Sequence, residues 1–532
     1  MASNENNLTP SEDHLATVKK LYFKGDYKEA LSALDILSKD FPNDPILFIM
    51  GGDCYLSLKQ YELAISCYEE ALKLSPKNIL IYRKKIDVLF STGNTEEALI
   101  LSREAIQISP DNFDLYLTQG NIFHDLNRYD KAIESYNRVI SLSPNSAFAF
   151  CNKSNSLIEL REFEEAVTCA KKAIQIKHDY SLAFFNLGVA AMQLRSFDLS
   201  MESFNKAIEL QPNFAKYEHG KSLLLLLFGD FKNGWSLWES RWKLDELFSP
   251  KLKTNHPVWT GNKNSKLFVW AEQGVGDHIM YSALLPDLSK LCSDISVQVD
   301  PRLVSLLNRS MGDICTFYPE NKPVPFEYEE HIAMGSLCKY LRRDEKDFKS
   351  SRYGFLKDDK IKTAEIKKDL IDLVPSGNKI CGISWRSVSV KSGIHKTISL
   401  KFFIETLALK GYTFVSLQYG DTEDEIREVK SELGVDIVSY TKVDNFNDID
   451  GLTSLIQACD TVISVDNITC QLAGALGKEI HVLLTYGSWW GWMVDRGDSP
   501  WYESVKIYRQ ELNQDWPSSF SEVKKNLSDK KI

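Results

Sequence analysis

The chain has 532 residues, of which 43% are hydrophobic and 26% charged, and its formal net charge is −10. That length exceeds what one compact core can hold, so two or three domains are expected, and the composition excludes global disorder. The acidic balance excludes broad binding to nucleic acid or to anionic membranes.

Residues 1–10 carry neither a basic leader nor an apolar segment, so a disordered start without a signal peptide is expected. The longest apolar run, Leu223 to Phe228, is far below the roughly 20 residues that cross a bilayer, so no direct membrane insertion is expected. Ten cysteines lie between Cys54 and Cys470 with no CxxC pair. They read as small buried hydrophobes of a cytoplasmic protein, not as a disulfide or zinc framework.

From residue 11 to 214 the sequence repeats with a period of 34. Gly52, Tyr55, Tyr61, Ala64, Tyr68, Ala71 and Pro76 mark one unit. The beat continues through Ala98, Ala105 and Pro110, then Gly120, Tyr129, Ala132, Tyr136 and Pro144. Ala166 and Ala173 follow, and then Gly188, Phe197, Phe204, Ala207 and Pro212. Small residues let two antiparallel helices approach, aromatics fill the holes, and proline stops the second helix. The pattern resembles the tetratricopeptide repeat and predicts a superhelix with a concave groove. Six repeats and a divergent capping unit around Gly229 are expected over 11–248, with a linker over 249–265. Asp53, Asp87, Asn121 and Asn155 share one phase of the first helix in four successive units. Such a ladder suits the backbone of a bound protein or peptide partner, although solvated polar positions look the same.

From Lys266 onward apolar strands alternate with helices, which predicts parallel sheets covered on both faces. KLFVWAE, ISVQVD, ICTFYP and HIAMGS form one unit, over 266–374. KICGISWRS, YTFVSLQYG, IVSY, TVISVD and EIHVLLTY form a second, over 375–532. Two Rossmann-type units in tandem place a cleft at the carboxyl ends of their strands.

Three segments carry the chemistry. The turn EQGVGD (Glu272 to Asp277) sets Gly274 and Gly276 before a helix that starts with Asp277. A carboxylate there can act as a base or simply cap the helix. SWRS and the loop after it supply Arg386, Lys391, His395 and Lys396, positive charge for an anionic leaving group. Asp466, Asn467, Thr469 and Gln471 open the helix after TVISVD, where a helix N-terminus favours anions. Gln418 ends the strand of SLQYGD. The cluster Trp489, Trp490, Trp492, Asp495, Arg496 and Trp501 is either a stacking surface for a ring or core. Asp448 and Asp450 form a D-x-D, which reads as a capping loop; no metal site and no cofactor are expected.

These motifs together resemble bacterial tetratricopeptide-repeat proteins with a heptosyltransferase-like glycosyltransferase domain. The resemblance rests on the repeats, W-x-G at Trp259 to Gly261, EQGVGD, SLQYGD, ISVDNITCQLAGALGK and DSPWY. It implies a GT-B-like pair of Rossmann-type units and inverting, metal-independent transfer from a nucleotide-sugar donor to an acceptor, a protein, held by the repeats. Asp277 matches the position of the proposed base, and Lys396 that of a lysine on the donor phosphates. It also implies donor contacts from Gly274, Gly276, Arg386, Gln418, Asp466, Asn467, Thr469 and Gln471. Gln471 stands where the family carries histidine, and glutamine can neither accept a proton nor carry charge. That departure keeps a second reading open, an interaction scaffold whose transferase half has lost its chemistry.

Overall fold

A computed structural model describes residues 10–244, 251–263, 265–323, 327–351, 353–387, 393–487, 489–512 and 515–528. The expected disordered start, apart from Pro10, and Lys391 lie outside the described residues, as does part of the expected linker. The chain divides into two compact units, residues 1–190 and 191–532.

Fourteen helices come first. They pair as α1 (Glu12–Lys24) with α2 (Tyr27–Asp40), α3 (Pro45–Ser57) with α4 (Tyr61–Leu74), and α5 (Ile79–Ser91) with α6 (Thr95–Ile108). Next come α7 (Phe113–Asp125) with α8 (Tyr129–Leu142), α9 (Ala147–Glu159) with α10 (Phe163–Ile176), and α11 (Ser181–Gln193) with α12 (Phe197–Leu210). The divergent unit is a complete seventh pair, α13 (Ala215–Leu227) and α14 (Phe231–Trp238), with Gly229 at its internal turn. One backbone device recurs in all seven. Gly25, Lys59, Gly93, Asn127, Arg161, Arg195 and Gly229 have φ between 56° and 88°. In each turn the next N–H reaches back five residues, as from Asp26 to Leu21 and from Asp230 to Leu225, which closes the first helix. Asp44, Asn78, Asn112 and Ser146 cap the first helices of the second to fifth pairs with their side chains.

Packing between paired helices explains the glycines. A Cβ on Gly52 would lie 2.5 Å from the Tyr68 ring, and one on Gly120 would lie 2.4 Å from Tyr136. In the third pair the same two phases hold Ile86 and Ser102, both buried, so the bulk has moved from the second helix to the first.

Residues 191–532 contain α12 to α14 and two parallel sheets. β1 (Lys266–Trp270), β2 (Asp294–Val299), β3 (Thr316–Pro319) and β4 (Glu330–Ala333) lie in the order β3-β2-β1-β4. The second sheet holds β5 (Lys379–Ser384), β6 (Tyr412–Ser416), β7 (Ile437–Val438), β8 (Thr461–Val465), β9 (Ile480–Leu484) and β10 (Val505–Arg509). Its order is β10-β9-β8-β5-β6-β7, and every pairing is parallel. This is the doubly wound arrangement, with the winding reversing between β5 and β8. In the first sheet the reversal falls between β1 and β4. β8 and β9 are buried along their whole length, as strands covered on both faces must be.

The helices between strands begin with α15 (Val275–Ser282), α16 (Leu285–Leu288), α17 (Val304–Met311) and α18 (Cys338–Leu341). α19 (Lys360–Leu373), α20 (Gly393–Lys396), α21 (Leu400–Leu407) and α22 (Glu423–Leu433) follow, then α23 (Ile449–Ala458), α24 (Ile468–Ala475) and α25 (Pro517–Ser528). α19 covers most of the charged stretch Lys357 to Lys368 that precedes the second sheet. Its capping residue is Asp359, whose carboxylate takes the N–H of Ile361 and Lys362. Nine of the ten cysteines are buried, and Cys67 is partly exposed. Among the described residues no helix is long and apolar enough to cross a membrane.

Candidate functional site

Both winding reversals lie in the second unit, and α15 packs against α24 there, which brings the turn after β1 to the turn after β8. Asp277 sits in the first turn of α15, and its carboxylate accepts the Gly274 N–H at 3.1 Å. The side chain is only half-buried, yet protein surrounds it, as at the floor of a cleft. Burial pushes its pKa up to about 7; the Gly274 N–H and Lys396 pull it down, while Glu272 and Asp466 add to the rise. A carboxyl so placed gains and loses a proton near neutrality, the property a general base needs.

Lys396, from α20, donates to Asp466 at 2.6 Å, and Trp492 Nε1 donates to the other oxygen of Asp466 at 2.8 Å. Burial works against the charge on Lys396, but Asp466 outweighs it and raises the pKa. A lysine half-neutralised in this way presents a cation that an incoming diphosphate would share with Asp466.

Neither Gly274 nor Gly276 is required by the protein's own packing. Each has negative or unexceptional φ, and a Cβ there would meet only Asp277 Oδ2 at 3.5 Å or Gln471 Cγ at 3.6 Å. The left-handed residue of that turn is Gln273, with φ 67°. A methyl at either position would make an ordinary van der Waals contact, so the fold itself tolerates one there.

Several candidates are taken up by the scaffold. Gln418 Oε1 accepts Ser384 Oγ at 3.0 Å and the N–H groups of Trp385 and Arg386 at 2.9 and 3.0 Å, so it braces the end of β5. Arg386 pairs with Glu425 at 2.9 Å and with the Asp421 carbonyl. Asn467 caps α24 through the Thr469 N–H at 2.9 Å and ties β8 to β5 through Ser384 at 2.7 Å. The Gln471 carbonyl accepts the Tyr502 hydroxyl at 2.7 Å. Thr469 is closed to solvent, and its hydroxyl is buried with no hydrogen-bond partner. The D-x-D is fully engaged: Asp448 caps α23 and pairs with Lys362 at 2.7 Å, and Asp450 pairs with Arg309. Trp490, Trp492 and Trp501 are buried and Trp489 is partly exposed, so of this cluster Trp492 alone reaches the site, through Asp466.

A cavity of about 440 Å³ opens at the carboxyl ends of β6 and β7. Gln418, Asp421, Tyr440, Asp444, Asn445 and Phe446 are among its walls. Asn445 donates to the Ser416 and Gln418 carbonyls at 3.4 and 3.2 Å, and its Oδ1 is buried without a partner. Hydrogen bonds run from Asn467 at α24 to the Arg386 carbonyl and from the Arg386 N–H to Gln418, so cavity and helix start are near neighbours. Nothing in the sequence marked Asn445, and Tyr502 stood only as the last residue of DSPWY with no role, because what each touches depends on which strand ends meet.

In the first unit the polar ladder is largely internal. Asp53 accepts Tyr68 Oη at 2.7 Å and Lys84 at 2.7 and 2.9 Å. Asn121 accepts Tyr136 Oη at 3.0 Å and Asn152 at 2.8 Å, and Asn155 bonds His124 at 3.0 Å. Asp87 has Ser102 where Asp53 and Asn121 have tyrosine, and it stays exposed while burial nevertheless raises its pKa.

Comparison with known proteins places the repeats. Tetratricopeptide-repeat profiles match residues 52–78, 120–154, 149–180 and 182–214. Protein FlbA of Caulobacter vibrioides is 28% identical over 338 residues, covering 60% of this chain; the chain spans only 56% of that relative's length. Among solved structures, YrrB, a TPR protein with an unusual peptide-binding site, is 22% identical, covers 36% of this chain and 98% of its own, with a TM-score of 0.31. The C-terminal part of a TPR repeat-containing protein from Cytophaga hutchinsonii is 19% identical, covers 43% and 95%, with a TM-score of 0.36. The N-terminal part of the chain is a tetratricopeptide-repeat solenoid of the protein-interaction type, followed by an α/β region built on parallel sheets.

Proposed function

We propose that the α/β region is an inverting, metal-independent glycosyltransferase and that the repeats recruit its protein acceptor. The observation that carries the reading is Asp277, a carboxyl lifted to about 7 at the winding reversal of one sheet and facing the Lys396–Asp466 pair at the reversal of the other. In this mechanism Asp277 takes the proton of the acceptor hydroxyl as its oxygen attacks the sugar's anomeric carbon from the face opposite the leaving group. The bond to the diphosphate breaks, and the negative charge released on it is met by Lys396 and the N–H groups opening α24. The nucleoside is assigned to the cavity beside β6 and β7, whose walls include Tyr440, Asn445 and Phe446. A histidine at position 471 is not needed if Asp277 is the base, and Tyr502 fixes Gln471 as a neutral wall.

The competing reading is an interaction scaffold with a silent α/β region, and the internal engagement of Gln418 and Arg386 favours it. A thermal-shift series with ADP, GDP, UDP and their sugars decides between them. A ligand at a hundred times its Kd stabilises the folded state by about 2.7 kcal/mol. A shift with one nucleotide, lost in Asn445→Ala, supports the transferase; no shift with any, with or without a recruited partner, supports the scaffold.

A further inference from the structure

Arg241 lies in the 3₁₀ turn Glu239–Lys243 that follows α14, the last helix of the repeats. Its Nε and Nη2 donate to the two oxygens of Glu272 at 2.9 and 2.7 Å, a fork-on-carboxylate pair. The two side chains are 2% and 0% exposed. Every other donor face is occupied: Nη2 also meets Ser336 Oγ at 2.8 Å, and Nη1 meets Glu239 at 2.8 Å and the Trp238 carbonyl at 3.1 Å. The guanidinium lies 4.3 Å from the Trp242 ring centroid and 5.1 Å from that of Trp238. Glu272 in turn accepts the Gly335 N–H at 2.9 Å, and a Cβ on Gly335 would sit 2.7 Å from its Oε1.

Glu272 follows β1 directly and opens the turn that carries Asp277, while Gly335 follows β4. One guanidinium from the seventh helix pair therefore pins both strand ends at the winding reversal of the first sheet. A buried ion pair is a poor source of stability compared with apolar side chains of the same shape, so its presence here calls for a role in geometry.

We propose that Arg241 is a positioning residue for Asp277, so that the seventh helix pair is a fixed wall of the site and not a detachable adaptor. The catalytic meaning of this rests on the function proposed above; the geometric claim does not. The charged and titratable groups facing Asp277 are Glu272 after β1, Asp466 after β8, Lys396 of α20, Tyr281 of its own helix and Tyr502 before β10. Of these only Glu272 is gripped by the repeats.

The test uses the full-length protein. Denaturation across pH 4 to 9 in the parent and in Asp277→Asn gives the pH above which the gap between their stabilities stops widening, which reports the folded-state Asp277 midpoint without any turnover. Glu272→Gln removes one negative neighbour and should lower that midpoint by about one unit. Arg241→Lys keeps the charge but loses the fork; kcat at saturating donor should fall about ten-fold with the donor KM held within about two-fold. An unmoved midpoint in folded Glu272→Gln, or full kcat in Arg241→Lys, overturns the proposal. Should Glu272→Gln fail to fold, the Arg241→Lys arm decides. A moved midpoint in a parent that neither binds nor transfers any nucleotide sugar would sink the proposed function and leave the positioning intact.

Discussion

Polar side chains in the repeats and at the sheet ends are held in opposite ways. In the repeats the partner stands at a fixed offset: Asp53 meets Tyr68 and Lys84, and Asn121 meets Tyr136 and Asn152, each 15 and 31 residues on. At the sheet ends the groups around Asp277 come from the turns after β1 and β8, from α20 and from the segment before β10. Periodic partners are set by nearest-neighbour packing, so they govern stability. Long-range partners are set by the winding of the sheets, and one of them, Asp277, is held in a state that costs stability. The two regions should therefore answer substitution differently.

The largest difference is expected at Asp277. Asp277→Asn should reduce transfer by about 10² to 10⁴-fold. The same change should stabilise the protein at pH 8. The acid's pKa is about 7 in the folded chain against an ordinary value of 3.8, so the folded state holds the extra proton. Parental stability is then greatest below about pH 4 and falls as pH rises through about 7, relative to a variant that cannot ionise there. Turnover in the parent should instead rise with pH through about 7. Initial rates and urea denaturation at matched pH check both, and a variant that is both less active and less stable at pH 8 would break the comparison.

Gly120→Ala probes the other side. Alanine in place of glycine within a helix usually stabilises by about 1 kcal/mol. Here the methyl would lie 2.4 Å from Tyr136, and overpacking should reverse the sign to a loss of about 1–3 kcal/mol. Gly120→Ile with Tyr136→Ser instead copies Ile86 and Ser102 of the third pair, with the bulk on the first helix, and should recover part of it. Thermal unfolding followed by circular dichroism gives the order of the three proteins. Gly276→Ala is the counterpart at the sheet ends. With its nearest neighbour at 3.6 Å the fold should tolerate it within about 0.5 kcal/mol. Nucleotide affinity, measured by calorimetry, should fall about ten-fold if a donor backbone passes there. Unchanged affinity would return that glycine to the role of a plain turn residue.

How much of this was legible follows the same division. The 34-residue beat displays the helix pairs because each contact repeats at short range, and even the divergent last pair betrays itself by Gly229 in phase with Gly25 and Gly93. The alternation of strands and helices announced the parallel sheets. β10 escaped, since VKIYR is short and half polar, and α19 hid in a charged stretch in which only Ile366 and Leu370 are buried as the helix packs on α23. At the site, Asp277 and Asp466 were legible because one sits in the first turn of a helix and the other follows a strand, while Lys396, the last residue of α20, was singled out by the resemblance. Gln418 and Arg386 have the same credentials but became braces, because what a strand-end side chain touches depends on its neighbour in the sheet. Glu272 and Arg241 could not be paired by any local rule, being 31 residues apart in segments with no common period.

The smallest effect tests whether backbone strain obeys the same rule. Lys59 holds φ 58° at the turn where Gly25 and Gly93 stand in other pairs. Lys59→Gly relieves about 1–2 kcal/mol of left-handed strain and gives back part of it through the freer unfolded chain, so a gain of up to about 1 kcal/mol is expected. Gln273 holds φ 67° in the turn before Asp277, and its exchange for glycine should release similar strain. If strain there is only a by-product of packing, both variants gain stability and nothing else changes. If the turn is held for Asp277, Gln273→Gly should move the pH above which the gap between parent and Asp277→Asn stabilities stops widening, while Lys59→Gly leaves that pH where it was.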